Sequence, residues 1–167
     1  MTFLPADHNA LMELPLPPAG SRGVELPRLV RPIVRALMGV GKPLFRLGLK
    51  VQGRPLLLLE TLGARTGQRR TTILGWFPSN GEPAGSWTVV ASNGGSARHP
   101  GWAYNLAHHP EDATVDIRNG PVAVTAELLT GPEREEMWRR VVEMAPGYRR
   151  YEQQTDREIP IFRLTRR

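Results

Sequence analysis

The sequence predicts a mainly β protein with flanking helices, in which about six antiparallel strands form a barrel. Three observations lead to this prediction. Short apolar or alternating runs are bounded by Gly and Pro, few helical segments lie between them, and a length of 167 residues suits one domain. The scarcity of intervening helices argues against a doubly wound parallel sheet.

The N-terminal part of the chain divides into two segments. Residues 1–25 are rich in Pro and Gly and poor in packable apolar groups, which predicts a flexible arm. In residues 26–50, apolar side chains from Leu29 to Met38 recur at helical spacing between Arg28, Arg31 and Arg35, which predicts a basic amphipathic helical segment. This helix would either pack on the domain or lie on an anionic membrane surface. Residues 51–167 then form the barrel.

The strands are predicted from runs rich in apolar, β-branched and aromatic residues. Asn119 and Gly120 lie between the alternating runs 114–118 and 121–129. An Asn-Gly pair in this position is a strong signal for a hairpin that joins the two strands. The predicted strands are 56–60, 70–77, 87–92, 114–118, 121–129 and 159–164.

Two helices are predicted in the C-terminal part of the chain. Residues 102–109 have helical spacing and are closed by Pro110. A second helix begins at Thr130-Gly131-Pro132-Glu133, where Thr and Glu are spaced as in a capping box, and stops at Pro146-Gly147. Tyr148 and Tyr151 then share a face if the next stretch is helical. Residues 155–160 are predicted to form a capped, charge-rich turn before the last strand.

Charge and composition limit the classes of function. The net charge is +6, and residues 26–70 hold ten basic residues against one acid, Glu60. This concentration suits a polyanionic partner, which could be nucleic acid, an anionic membrane surface or a phosphorylated cofactor. The absence of Cys excludes disulfides, thiolate metal sites and cysteine nucleophiles, and no metal site is predicted. With no apolar run of about 18 residues, we predict a cytoplasmic protein.

Several short motifs could carry chemistry, and each has a structural alternative. The loop with Arg65, Gly67 and Arg70 suits a phosphate or carboxylate, or is an exposed hairpin turn. Residues 92–95 allow a flat ligand to approach the backbone, or form an ordinary flexible turn. Trp102 either lies at the N-terminal end of a helix, where it could help to form a site, or packs in the core. The two tyrosines could donate a proton to a ligand or pack at a helix edge.

Taken in order, these motifs resemble the deazaflavin-dependent nitroreductase family of actinobacteria. The resemblance spans roughly residues 43–165 and rests on Gly63-x-Arg65-Thr66-Gly67-Gln68-x-Arg70-Thr71-Thr72, Ala91-Ser92-Asn93-Gly94-Gly95, His99-Pro100-Gly101-Trp102-x-x-Asn105-Leu106 and Pro146-Gly147-Tyr148-x-x-Tyr151-x-x-x-Thr155-Asp156-Arg157-x-Ile159-Pro160. It implies a split β-barrel related to FMN-binding flavoproteins. It also implies coenzyme F420, a deazaflavin with a phosphate and an oligoglutamate tail, and an oxidoreductase that transfers hydride to a nitro, quinone or conjugated carbonyl acceptor.

The resemblance also implies roles for individual residues. Residues that would hold the phosphate and tail, or shape their loop, are Arg65, Thr66, Gly67, Gln68 and Arg70. Further cofactor-binding residues, which run beside the deazaflavin or fix the elements that face it, are Thr72, Ala91, Ser92, Asn93, Gly94, Gly95 and Trp102. Tyr148, Tyr151 and Ser92 would be the catalytic residues, the tyrosines orienting the acceptor and delivering a proton. The chain departs from the family pattern at Ala64, where many relatives have a basic residue, and at Gln154, where an aromatic residue is common.

Alternatives remain open at this point. The related barrels include FMN-binding and haem-binding proteins, and the basic segment suits a nucleic-acid-binding module without catalysis. Against the last, aromatic residues make up only 7% of the chain and no RNA-binding aromatic motif or helix-turn-helix signature is present. We therefore predict F420 and a small hydrophobic acceptor as partners, no nucleic acid, and a monomer or homodimer. Peripheral membrane contact would come through the basic helix.

Overall fold

The fold is a single six-stranded antiparallel sheet with three helices in the part of the chain that is described. The computed structural model describes residues 13–25, 45, 46, 48, 50, 53–78 and 85–167. The basic helical segment predicted within 26–50 therefore lies almost wholly outside the described residues, as does most of the loop after β2. The elements are β1 (Leu56–Leu62), β2 (Arg69–Gly75), β3 (Ser86–Val90), α1 (Gly101–His108), β4 (Ala113–Asp116), β5 (Val122–Leu128), α2 (Gly131–Met144), α3 (Gly147–Gln154) and β6 (Ile161–Arg166).

The sheet curls into a half-barrel. Its strand order is β2-β1-β4-β5-β6-β3, and every neighbouring pair is antiparallel. The two edge strands approach each other where Phe77, just after β2, pairs with Thr88 of β3, and the Phe77 N–H donates to the Thr88 carbonyl at 2.9 Å. This bridge draws together two edges that an open sheet would leave apart. The predicted mainly β, split-barrel architecture is confirmed.

The core lies in two clusters, one on each side of the sheet. Alternation along β1 turns Leu57 and Leu59 inward, where Trp102 and Leu106 of α1 cover them. Each such apolar side chain stabilises the fold by about 1.5–3 kcal/mol when fully buried. The second cluster packs α2 and α3 against the other face and includes Phe77, Trp138 and Tyr148. Helix α1 is thus fixed on the inner face, and α3 on the outer.

Two local predictions, a capping box and a two-residue turn, are corrected. The Thr130 side chain does not cap α2, and the carboxylate of Glu133 pairs with Arg163 of β6 instead of completing a capping box. The β4–β5 hairpin forms as predicted, but its turn is wider than Asn119-Gly120. The Asp116 carboxylate accepts the N–H groups of Arg118 and Gly120, both of which have positive φ.

The described part of the predicted N-terminal arm is packed on the barrel. Residues 13–25, called the strap below, run along α1 and the segment that precedes it. The N–H groups of Leu14, Gly20 and Val24 donate to the carbonyls of Ala107, Ala97 and Gly95 at 2.8 to 2.9 Å. Prolines that prevent a helix leave the chain extended, and an extended chain can offer its N–H groups to a neighbouring segment.

Candidate active site

The loop between β1 and β2, residues 63–68, is a tight turn that places cations in solvent. Gly67 has φ +62, and its N–H donates to the Gly63 carbonyl at 2.8 Å. The Gly63 N–H donates to the Gln68 carbonyl at 2.9 Å, which closes the turn. Arg65, Thr66, Gly67, Gln68 and Arg70 are all exposed. The loop is therefore a rigid, positively charged projection suited to an anion.

Asn105 of α1 fixes this loop to the barrel. Its Oδ1 accepts the Ala64 N–H at 3.0 Å, and its Nδ2 donates to the Thr61 hydroxyl at 2.9 Å. Trp102, one turn earlier in α1, is buried against Phe162, with ring centroids 5.8 Å apart. Trp102 thus anchors the helix from the core. The role of Asn105 was not predicted, although the spacing Trp102-x-x-Asn105 places both side chains near one helix face.

The arginines at the start of β2 lie on opposite faces of the strand. The register pairs Arg70 with Thr61 and Thr72 with Leu59, so Arg70 and Thr72 lie on the face that α1 covers. Arg69 lies on the other face, where its guanidinium donates to the Asp112 carbonyl at 2.9 Å and lies 4.0 Å from Glu60. Only Arg70 of this pair is therefore placed to act with Arg65 and the loop.

The segment after β3 has an unusual backbone conformation. Ser92 is right-handed helical, whereas Asn93, Gly94 and Gly95 have φ of +46, +61 and +79. Such positive values are costly for most side chains and are adopted readily by Gly and Asn. A Cβ on Gly95 would meet Gln154 Oε1 at 2.8 Å, whereas among the described residues no atom lies within 4 Å of a Cβ on Gly94. Residues 92–95, called the open segment below, thus pack on α3 at Gly95 and face open space at Gly94.

Behind this segment lies a buried guanidinium, that of Arg157. It donates to the carbonyls of Ala91, Ser92 and Ser96 at 2.8 to 3.0 Å, and also lies 3.0 Å from His99 Nδ1. The prediction of a charge-rich turn at 155–160 is therefore wrong for Arg157, which is only 6% exposed. Most of its partners are backbone carbonyls distant in sequence, which leave no pattern that a sequence could show.

His99 links Arg157 to the strap. Its Nδ1 must accept, because a guanidinium can only donate, so its Nε2–H donates to the Pro17 carbonyl at 2.8 Å. Burial, in the main, lowers the pKa of His99; the Pro17 hydrogen bond opposes this shift, and the charge of Arg157 adds to it. His99 is thus held neutral.

Asp156 holds the strap from the outside. Its carboxylate accepts the Ser21 hydroxyl and the N–H groups of Ser21 and Arg22 at 2.6 to 3.2 Å. These hydrogen bonds, that from the Ser21 hydroxyl first, lower the pKa of Asp156 to about 2. Thr155 completes the contact by donating to the Arg22 carbonyl at 3.1 Å. Residues 155–157 therefore join the strap to the open segment.

The two tyrosines lie on one helix, as predicted, but in different surroundings. Tyr148 is buried between Phe77 and Trp138, and its hydroxyl accepts Arg54 Nη1 at 2.8 Å. Tyr151 is half-buried, with its ring centroid 5.3 Å from that of Tyr148, and its carbonyl lies 3.3 Å from a Cβ built on Gly95. Helix α3 therefore brings Tyr151 beside the open segment and leaves Tyr148 deeper in the second core cluster.

A curled antiparallel half-barrel with an exposed cationic loop fixed to its inner helix defines a β protein built to bind an anionic ligand. The model of the F420H(2)-dependent quinone reductase family matches residues 30–166. The chain belongs to this family. It is an oxidoreductase, and its coenzyme is F420. Membership confirms the resemblance to F420-dependent reductases and selects F420 over the FMN, haem and nucleic-acid alternatives.

Individual relatives agree with this assignment. An F420H(2)-dependent quinone reductase of Mycobacterium tuberculosis is 39% identical over 151 residues, which cover 87% of this chain and 93% of the relative. A solved F420-H2-dependent reductase, FDR-A, is 37% identical with a TM-score of 0.57, covering 66% of this chain and 94% of that one. A solved structure described as a domain-swapped dimer is 31% identical with a TM-score of 0.57, covering 79% and 98%.

The residues present fit such a coenzyme. Exposed arginines on a glycine-containing loop suit a phosphate and a carboxylate-rich tail, and the open backbone at Gly94 leaves room for a flat ring. No helix in the described part of the chain is both long and apolar enough to cross a membrane.

Proposed function

We propose that this chain transfers a hydride from reduced F420 to a quinone, and that nitro compounds and conjugated carbonyl compounds are further acceptors. Family membership supports the quinone. The observation that carries the proposal is the rigid β1–β2 loop, held by Asn105 so that Arg65 and Arg70 form one exposed cationic surface. All three acceptor classes are electron-poor, flat and apolar, as a small hydrophobic acceptor of hydride should be.

Coenzyme binding is assigned to two segments. Arg65, Thr66 and Arg70 bind the phosphate and tail, while Gly67 and Gln68 maintain the loop, since Gln68 Oε1 accepts Arg70 Nη2 at 2.8 Å and so orients that guanidinium. Thr72 lies on the same face one step along β2. Residues 91–95 support the ring, and Trp102 fixes α1 between the two segments.

The acceptor is assigned to the side of the 91–95 segment that is open at Gly94, next to the place where the segment packs on α3. When bound, reduced F420 supplies the hydride. A quinone that receives a hydride must also take up one proton to become a hydroquinone, and a phenol can give it. The Tyr151 hydroxyl makes no hydrogen bond within the described part of the chain, so it is available to an acceptor. Ser92 borders the acceptor, Tyr148 positions the Tyr151 phenol through the packing of their rings, and water returns the proton to Tyr151.

The test is a fluorescence titration of oxidised F420, with FMN in parallel, on the unsubstituted chain and on Arg65→Ala and Arg70→Ala. Each substitution should weaken F420 binding about tenfold or more, because it removes a charge-assisted hydrogen-bond donor worth about 1.5–3 kcal/mol. FMN should bind weakly. Oxidation of reduced F420 by a quinone, by a nitro compound and by a conjugated ketone then compares the acceptors.

Arg69→Ala is the matched control for these variants. It removes the same charge from the same turn, but from the face where Arg69 contacts Asp112 and Glu60. F420 affinity should therefore change less than about threefold. Equal losses in all three variants would show a general charge effect and contradict the assignment of the loop.

The oligomeric state is a separate part of the proposal. The relative described as a domain-swapped dimer supports a homodimer for this chain, and light scattering of the purified protein distinguishes it from a monomer. Membrane contact stays a prediction that concerns residues outside the described ones.

A further inference from the structure

Arg157 is the most buried cation near the proposed ring site, and it has an unusual set of partners. The guanidinium has five N–H groups, and each finds an acceptor. Nε donates to the Ser96 carbonyl, Nη2 to those of Ala91 and Ser92, and Nη1 to His99 Nδ1 and, at 3.3 Å, to the Glu158 carbonyl. None of these acceptors is a carboxylate.

The neighbouring acids are turned elsewhere. The Asp156 carboxylate binds the strap, and the Glu158 carboxylate lies 3.7 Å from Nε of Arg134. Within the described residues, Arg157 therefore has no ion pair. A buried charge without an opposite charge is costly, and a hydrocarbon side chain could fill the same space at lower cost. The contacts of Arg157 with the 91–96 segment indicate the role of this buried charge, which is to fix the backbone of that segment.

These contacts fix the direction of the peptide groups. In a trans peptide the C=O of one residue and the N–H of the next point in opposite directions. Because the carbonyls of Ala91 and Ser92 point at Arg157, the N–H groups of Ser92 and Asn93 point away from it. Ser92 is right-handed and Asn93 left-handed, a sequence of conformations that makes successive N–H groups converge into an anion-binding concavity.

We propose that Arg157 is a positioning residue of the coenzyme site, which holds the Ser92 and Asn93 N–H groups toward the ring and places its own charge behind them. This inference rests on the proposed function, because that function places the ring beside residues 91–95. The carbonyl and ring-nitrogen acceptors of a deazaflavin are suitable partners for two convergent N–H donors backed by a cation. Arg157 itself does not touch the coenzyme.

The test compares Arg157→Lys with Arg134→Lys. Arg134 is a matched control, since it is equally buried and also donates to a backbone carbonyl, that of Ile159 at 3.1 Å, but it belongs to α2. Lys keeps the charge and cannot reach all the carbonyls of the 91–96 segment. We expect the Kd for oxidised F420 to rise about tenfold or more in Arg157→Lys and less than about twofold in Arg134→Lys, at comparable losses of Tm. Equal changes of Kd in the two variants would overturn the proposal.

A second measurement uses the unsubstituted chain and is independent of whether a variant folds. During titration with F420, the amide ¹H–¹⁵N resonances of Ser92 and Asn93 should shift, while that of Gly120, at the distant hairpin, should stay in place. If F420 binds and moves the β1–β2 loop resonances but not those of Ser92 and Asn93, Arg157 has no role at the ring. The F420-dependent reaction and the coenzyme-binding loop then survive, and only the placement of the ring beside residues 91–95 fails. If the unsubstituted chain does not bind F420, the proposed function fails and this inference fails with it.

Discussion

At the scale of single residues, the adjacent glycines Gly94 and Gly95 of the open segment are required for different reasons. Both have positive φ, so alanine at either position costs roughly 1–2 kcal/mol in backbone strain. Only at Gly95 would the new methyl also press on α3, where Gln154 Oε1 and Cβ lie 2.8 and 3.0 Å away. Gly94 faces open space among the described residues, on the side where the ring is proposed to lie.

We therefore predict that alanine at Gly95 mainly lowers stability, whereas alanine at Gly94 mainly lowers the affinity for F420. Gly95→Ala should lose about 2–4 kcal/mol of the free energy of unfolding, because overpacking adds to strain. Gly94→Ala should lose only about 1–2 kcal/mol, yet bind F420 at least about tenfold more weakly, because its methyl occupies the open face. Urea unfolding and F420 titration measure the two quantities. A Gly94→Ala protein with unchanged F420 affinity would contradict the placement of the ring.

At the scale of elements, helix α3 connects the second core cluster with the open segment. Its two tyrosines, three residues apart, differ in their contacts. The Tyr148 hydroxyl is held by Arg54 within the second core cluster, whereas the half-buried Tyr151 ring packs at the edge of that cluster and its backbone carbonyl lies beside Gly95. One helix thus carries a mainly structural phenol and an available one. We therefore expect the Tyr148 hydroxyl to contribute to stability and the Tyr151 hydroxyl to contribute to catalysis.

Phenylalanine substitutions separate these contributions. Tyr148→Phe removes the acceptor of a charged donor, Arg54, and should lower the free energy of unfolding by about 1–3 kcal/mol. Tyr151→Phe should leave stability within about 0.5 kcal/mol and lower kcat for quinone reduction about a hundredfold, because it removes the proposed proton donor. Urea unfolding and steady-state kinetics with reduced F420 make the comparison. Full kcat in Tyr151→Phe would exclude that hydroxyl as the donor.

Elements were predictable where local signals agreed with the tertiary structure. Alternation, β-branched residues and Gly or Pro boundaries located all six strands to within a few residues, and Pro146-Gly147 correctly separated α2 from α3. The capping box did not form: Thr130 makes no side-chain cap, and Glu133 pairs with Arg163. Arg157 was missed because four of its five acceptors lie 58 to 66 residues away in the chain: the carbonyls of Ala91, Ser92 and Ser96 and the His99 ring. The fifth acceptor is the carbonyl of the adjacent Glu158. The site residues were suggested by motif resemblance, which does not show which side chains are buried.

At the scale of the whole molecule, three segments are joined by a cluster of buried polar residues: the strap, the open segment and the connection between α3 and β6. Pro17 of the strap accepts from His99, His99 accepts from Arg157, and Arg157 holds the 91–96 segment. A proton added to His99 Nδ1 would break the contact with Arg157 and face its positive charge. The neutral form of His99 is thus part of the folded structure.

This coupling predicts the dependence of stability on pH. Since folding lowers the pKa of His99 below its usual 6.5, the unfolded chain takes up the proton first as the pH falls. The His99 contribution is therefore neutral above about pH 6.5 and becomes destabilising below it, by at most about 1.4 kcal/mol per pH unit. Urea unfolding at intervals between pH 7.5 and about 5 should show this decline, and His99→Gln, which cannot titrate, should remove it.

His108→Gln is the matched control for this prediction. His108 also contacts the strap, through Glu13 at 2.8 Å, but it is exposed, and its ring is not held against a second cation in the described part of the chain. Its substitution should preserve the decline of stability below about pH 6.5 that His99 causes. A decline that persists in His99→Gln and disappears in His108→Gln would assign the pH dependence to the surface contact with Glu13 and contradict the role given to His99.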